Sequence, residues 1–156
     1  MPNTIYESFK EDYLPYTNDS YKKIVDIIFS YIHEHETVRI LELGCGSGAF
    51  TRFMANKNVN ITAIDASINL INIAQQHMDN VNFIQGFISP GFLETLPLEN
   101  FDLIVSFCFI HHLSSESIAE LSSYLIKRMK KTAFLHVLNP IEIILRFCFN
   151  ISLKQN

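Results

Sequence analysis

Cysteine is scarce in this chain: 156 residues carry three, at positions 45, 108 and 148, an odd number with no two close together. That pattern supports neither a disulfide framework nor a cysteine zinc site. Long hydrophobic runs are missing as well. None approaches the roughly 18 residues that a membrane helix needs, so no membrane span is expected. Positive charge is in deficit, with 12 Lys and Arg against 16 Asp and Glu, a net charge of −4 and an isoelectric point near 5.8. A general nucleic-acid surface needs the opposite balance, and no nucleic-acid partner is expected. There is no internal repeat and no low-complexity segment. Residues 1–9 are polar with scattered aromatics rather than basic and then apolar, unlike a leader, and the expected location is cytoplasmic. The length suits one domain with a real core.

What is present centres on Val38-Arg39-Ile40-Leu41-Glu42-Leu43-Gly44-Cys45-Gly46-Ser47-Gly48. Its apolar residues read as a buried strand. An acid, Glu42, stands near the strand's end, and three glycines alternate through the following turn. Ala49 to Ala55 then resumes at helical spacing. Glycine is called for where the backbone takes positive φ or must approach a ligand without a Cβ in the way. The dinucleotide fingerprint is G-x-G-x-x-G, aimed at a pyrophosphate. Here the spacing is G-x-G-x-G, and Glu42 beside it would repel a pyrophosphate and attract a cationic amino group. Both features weaken a nicotinamide oxidoreductase reading. Cys45, inside the turn, reads as a small filler rather than a nucleophile.

The rest of the chain alternates in the same way. A helix capped at Asp19 or Ser20 is expected to reach about His35, with Ile24, Ile27, Ile28, Tyr31 and Ile32 inward. His33 and His35 at its end are too few ligands for a metal, and none is expected. Val59–Ile64 is a second strand ending at Asp65, about twenty residues after the first glycine, where a nucleoside-binding unit places the carboxylate that accepts from ribose hydroxyls. A helix from Ser67 through Met78 follows, so Asp65 could instead serve as its cap. Val81–Gln85 is a third strand, followed by Gly86 and Phe87. Phe101–Ser106 is a fourth, followed by His111 and His112 and a helix capped at Ser114 that runs to about Met129. Lys131–Leu138 is a fifth strand, and Ile141–Leu153 an apolar helix.

The string E-L-G-C-G-S-G at residues 42–48 resembles motif I of the class I S-adenosylmethionine-dependent methyltransferases, and F-D-L-I-V-S followed by H-H-L resembles motif IV of the same family. The resemblance covers roughly residues 5–140. It implies a three-layer, Rossmann-like α/β fold, its mostly parallel sheet of about five strands in the order 3-2-1-4-5, truncated after strand five where relatives add a hairpin. One domain is expected, with an aromatic arm and helix over 1–36, a cofactor-binding core over 37–139 and an apolar helix over 140–156. The implied reaction is methyl transfer from S-adenosyl-L-methionine, leaving S-adenosyl-L-homocysteine, to a small-molecule acceptor by in-line displacement. The implied cofactor residues are Glu42, Gly44, Cys45, Gly46, Gly48, Asp65, Ala66, Gly86, Phe87 and Ser106. Many relatives carry an acid or amide after the glycine equivalent to Gly86 to read the adenine amino group, and this chain has Phe87, whose ring would stack on the base or point into the core. Gln85 or backbone groups near Gly86 could read the base instead.

Candidate general bases are His111 and His112, with His111 expected to face inward and His136 a more distant third. Tyr6, Tyr13 and Tyr16 lie in a segment where Tyr6, Phe9 and Tyr13 share one helix face, as a strap on the sheet or as a lid touching substrate. Asn139-Pro140 is not the N-P-P-Y loop of adenine-amino methyltransferases, because it follows the fifth strand rather than the fourth. An uncovered fifth strand is an edge able to pair. Together with the apolar helix it suggests a homodimer or a heteromeric partner on that side. The alternative function is a non-catalytic methyltransferase-like subunit that acts as a scaffold in a larger complex.

Overall fold

A computed structural model describes residues 18–30, 37–55, 57–98, 101–127, 129–138 and 147–148. The sheet they form has the order β3-β2-β1-β4-β5-β6, with β1 Val38–Leu43, β2 Val59–Asp65, β3 Val81–Gln85, β4 Phe101–Phe107, β5 Met129–Leu138 and β6 Phe147–Cys148. The first five strands are parallel. Parallel neighbours need crossovers. Here these contain α2 Thr51–Met54, α3 Ile68–His77, α4 Pro90–Glu94 and α5 Ser115–Ile126, while α1 Asn18–Phe29 precedes the sheet.

Both faces of the sheet are covered, which is why its strands are apolar runs rather than alternating ones. Ile40, Ile61, Ala63, Leu103 and Val105 face a core completed by α1, α2 and α3, through side chains such as Val25, Met54 and Ala74. Leu41, Leu43, Ile64 and Ile104 face a second core with Leu93 of α4 and Leu121 and Leu125 of α5. The result is the expected three-layer α/β fold. Strand order reverses between β1 and β4, and in open α/β sheets ligands bind beyond the carboxyl ends near such a switch.

Three expectations need correction. The inner face of α1 is Tyr21, Val25 and Ile28, with Ile24 packed against the same core as expected, while Ile27 is exposed. The helix is turned by Tyr21, which packs edge-on to Phe107 at 5.2 Å between centroids and stacks on Phe53 at 5.9 Å. Residues 147–148 form a strand rather than part of a helix. They pair antiparallel with β5 opposite Phe134 and Leu135, so the β5 edge is not bare there. The remainder of the 140–156 helix, the 1–17 arm with Tyr6, Tyr13 and Tyr16, and the end of the first helix with His33 and His35 lie outside the described residues. Among the described residues no helix is long and apolar enough to cross a membrane.

Tyr21 is buried against three phenylalanines, Phe50, Phe53 and Phe107. Tyr21→Ala is therefore expected to lower unfolding free energy by about 3–5 kcal/mol in urea titration, as large aromatic truncations do. A loss below about 1 kcal/mol would contradict the docking of α1.

Candidate active site

The glycine bend begins where β1 ends. Gly44, Gly46 and Gly48 take φ of 77°, 54° and 81°, a region that only glycine enters without strain. The bend is tied to the neighbouring strand, since Gly44 and Cys45 N–H both donate to the Ile64 carbonyl, at 2.8 and 3.1 Å. Not every glycine is there for a ligand. A Cβ on Gly44 would collide with Phe109, one on Gly48 with Met78 of the α3 layer, and one on Gly86 with the Phe92 ring. Close packing demands glycine at 44 and 86; at 48 the atom met is the flexible tip of Met78, and the positive φ is what calls for glycine. Cys45 is buried in the first core, as a filler should be.

Asp65 closes the bend. Its carboxylate accepts the Gly46 N–H on one oxygen and the Ser67 N–H on the other, both at 2.8 Å. The helix cap is not Asp65 but Ser67, whose hydroxyl accepts from Leu70 N–H at 3.3 Å. The acid is thereby left at the mouth, partly exposed, bridging the turns after β1 and β2.

Glu42, expected near the strand's end beside the glycine turn, is buried within β1. It lies on the Ile40 face of β1, 1% exposed, with one oxygen accepting the Thr51 hydroxyl at 2.7 Å. Burial pushes its carboxyl from 4.5 up to about 8; the Thr51 bond opposes this, and the negative charge of Asp65 adds to it. Burial thus favours the neutral form of Glu42 in this state. Ser106, opposite Leu43 at the end of β4, shares the other face with Ile104. Its buried hydroxyl has no hydrogen-bond partner among the described residues.

At the ends of β2 and β3 the backbone continues the lacing. Gly86 N–H donates to the Asp65 carbonyl at 2.9 Å, and the Gln85 amide donates to the Ala66 carbonyl at 3.0 Å. Gln85 thereby serves as a brace. The Phe87 ring is 44% exposed and is not a core residue.

Beyond β4 the chain does something the sequence did not signal. Cys108 adopts φ 55°, the one non-glycine positive φ among the described residues. Such a conformation costs on the order of 1–3 kcal/mol. It turns the backbone so that Phe109 packs back on Gly44. Only glycine or asparagine would have flagged this position. A 3-10 turn, Ile110–His112, follows, and both histidines are exposed with ring centroids 3.9 Å apart. Partial desolvation of the exposed ring, helped by the neighbouring His111, holds His112 below the usual imidazole range, while Asp65 pulls it upward. A separate groove of about 490 Å³ between α4 and α5 has Pro90, Glu120 and Lys127 among its lining residues and none from the bend.

These features can be set beside known proteins. Residues 40–132 match the methyltransferase domain family. Malonyl-[acyl-carrier protein] O-methyltransferase of Paenibacillus sp. is 35% identical over 96 residues, 56% of this chain and 34% of that protein. Ubiquinone biosynthesis O-methyltransferase of Rickettsia bellii is 26% identical over 107 residues, 69% of this chain and 44% of that one. A methyltransferase from Thiobacillus denitrificans, solved with S-adenosyl-L-homocysteine, superposes with a TM-score of 0.63 at 18% identity, covering 88% of this chain and 55% of that one. The chain spans about half or less of the length of these relatives. By its sequence match and its fold, the chain belongs to the class I S-adenosylmethionine-dependent methyltransferase family.

Proposed function

We propose that this chain binds S-adenosylmethionine at the bend between Leu43 and Ala49 and directs methyl transfer to an oxygen of a small-molecule acceptor. The observation that carries the reading is the Asp65 carboxylate, fixed at the mouth by Gly46 and Ser67 N–H groups. These backbone groups hold the carboxylate, an acceptor for hydroxyl donors, at the mouth where a ribose diol would meet it. The choice of oxygen is supported by two relatives named as O-methyltransferases.

The cofactor supplies a methyl already activated on a sulfonium. What the chain's residues contribute is orientation and exclusion of water, and orientation alone is worth on the order of 7–11 kcal/mol. Glu42 is suited to the amino-acid end. A cation at the bend compensates the lost solvation of its carboxylate, so Glu42 releases its proton as the ammonium arrives. His112 is suited to a hydroxyl acceptor. With its basicity lowered by partial desolvation, it can take a proton from the nucleophile, an effect of about 10²–10⁴-fold. A carboxylate acceptor would not need it.

Calorimetry with S-adenosyl-L-homocysteine tests the placement. Wild type should bind, and Gly46→Val should lose at least roughly 30-fold, or about 2 kcal/mol, because valine is strained at that φ and the Asp65 clasp must shift. Unchanged binding by a folded variant would refute it.

Glu42 gives a second expectation. The fold retains a proton from pH 4.5 to about 8 that the unfolded chain has lost. The group's stabilising contribution is therefore full below pH 4.5 and is lost as pH rises through 8. Over that window wild type should lose a few kcal/mol relative to Glu42→Gln, the order of magnitude of the shift. Parallel stability curves for the two proteins would contradict the burial of an ionisable carboxyl.

A further inference from the structure

The outer face of α5 is unlike the solvent face of an ordinary helix. Its sequence, S-E-S-I-A-E-L-S-S-Y-L-I, buries Leu121 and Leu125 against the second core. Solvent faces of helices generally carry long charged side chains. Here the exposed positions include Ser117, Ala119 and Ser123, all of them short. Short side chains leave room beside the helix. The groove of about 490 Å³ is lined by Ala119, Ser123 and Tyr124, with Pro90 of α4 also on its wall. Ile126, 36% exposed, is two turns from Ala119 and so on the same side of α5.

Two opposite charges line the same groove. Glu120 and Lys127 are seven residues apart, or about 10 Å along the helix axis. Neither is in an ion pair among the described residues, where the salt bridge present joins Lys57 to Asp26. An acid and a base spaced two turns apart on one stripe match a second helix carrying the same pair in reverse order. This chain supplies such a helix itself. Ser123 and Tyr124 lie midway between the two charges. In an antiparallel pairing of two α5 helices centred there, Glu120 of each protomer falls opposite Lys127 of its partner. A two-fold axis makes both contacts at once, as a self-complementary patch requires. Short residues at the crossing let the axes come near the close end of the usual range, about 8–10 Å.

We propose that the α5 groove is a self-association surface: two copies of this chain pair through antiparallel α5 helices, kept in register by reciprocal Glu120–Lys127 contacts. The inference is independent of the cofactor reading. It places association on the α4–α5 layer and not along the β5–β6 edge. No residue of the glycine bend lines the groove, so pairing leaves the bend open. The contact is one helix and its flank, which puts the dimer in the small, reversible class. Its charges set register and partner choice more than affinity.

The test is sedimentation velocity of the 156-residue chain over a concentration series. Wild type should pass from monomer to dimer as concentration rises. Glu120→Lys and Lys127→Glu each set like charges against one another twice across the two-fold, and each should weaken association at least tenfold. The double variant exchanges the two signs and restores both attractions, so it should return to within about threefold of wild type. Far-UV circular dichroism confirms that each variant is folded. Should the double variant lose helix content, an equimolar mixture of the two single variants carries the same test, since each supplies the charges that the other needs. Wild type that stays monomeric at every concentration overturns the proposal, and leaves the groove to some other occupant. A dimer indifferent to the single reversals, or a folded double variant as weak as the single ones, overturns it as well.

Discussion

A single carboxylate holds the working end of this fold in register. Asp65 accepts one backbone N–H from the turn after β1 and one from the turn after β2, each at 2.8 Å. Charge-assisted bonds of this kind are among the stronger ones available to a protein. The geometry has prerequisites throughout the chain. β1 and β2 must be adjacent and parallel, Gly46 must turn through positive φ to present its N–H, and Ser67 must cap α3 so that the acid is not consumed as a cap. The same charge adds to the rise that burial imposes on the Glu42 carboxyl and opposes the depression that desolvation imposes on His112.

Most of the scaffold was legible because its signals are local. Apolar runs ending in glycine, aspartate or serine locate β1 to β4 to within a residue or so, and Ser67 and Ser114 are caps that act within three residues of themselves. The family strings supplied the strand order, which periodicity alone could not. The misreadings came from contacts distant in sequence. Nothing around residue 27 reveals that α1 rotates to bury Tyr21 among Phe50, Phe53 and Phe107, since that depends on helices and strands 30 to 80 residues away. A motif shows that Glu42 is present, but only the covering α2, with Thr51, shows that it is buried. The two-residue strand at Phe147–Cys148 is too short for any periodic signal.

The bend's glycines carry a related lesson. Read from sequence, all three invite the same explanation, a ligand that needs room. In the structure Gly44 is required by Phe109, so a substitution there damages packing first, and Gly48 is required by its positive φ. Gly46 is the one whose N–H reaches the Asp65 carboxylate. The strained turn at Cys108 belongs to the same arrangement, because it brings Phe109 back onto Gly44 at the junction of β1 and β4. The switch point is built from both sides, by glycine on one strand and an aromatic ring on the other.

The central claim is that this clasped bend receives a sulfonium nucleoside. The most direct measurement is a crystal structure of the chain soaked with S-adenosyl-L-homocysteine. The account predicts density over residues 44–48 with both ribose hydroxyls on the Asp65 carboxylate and the Gly46 N–H still donating to it. A bend filled by the chain's own side chains, or a nucleoside bound elsewhere with Asp65 unengaged, would contradict it.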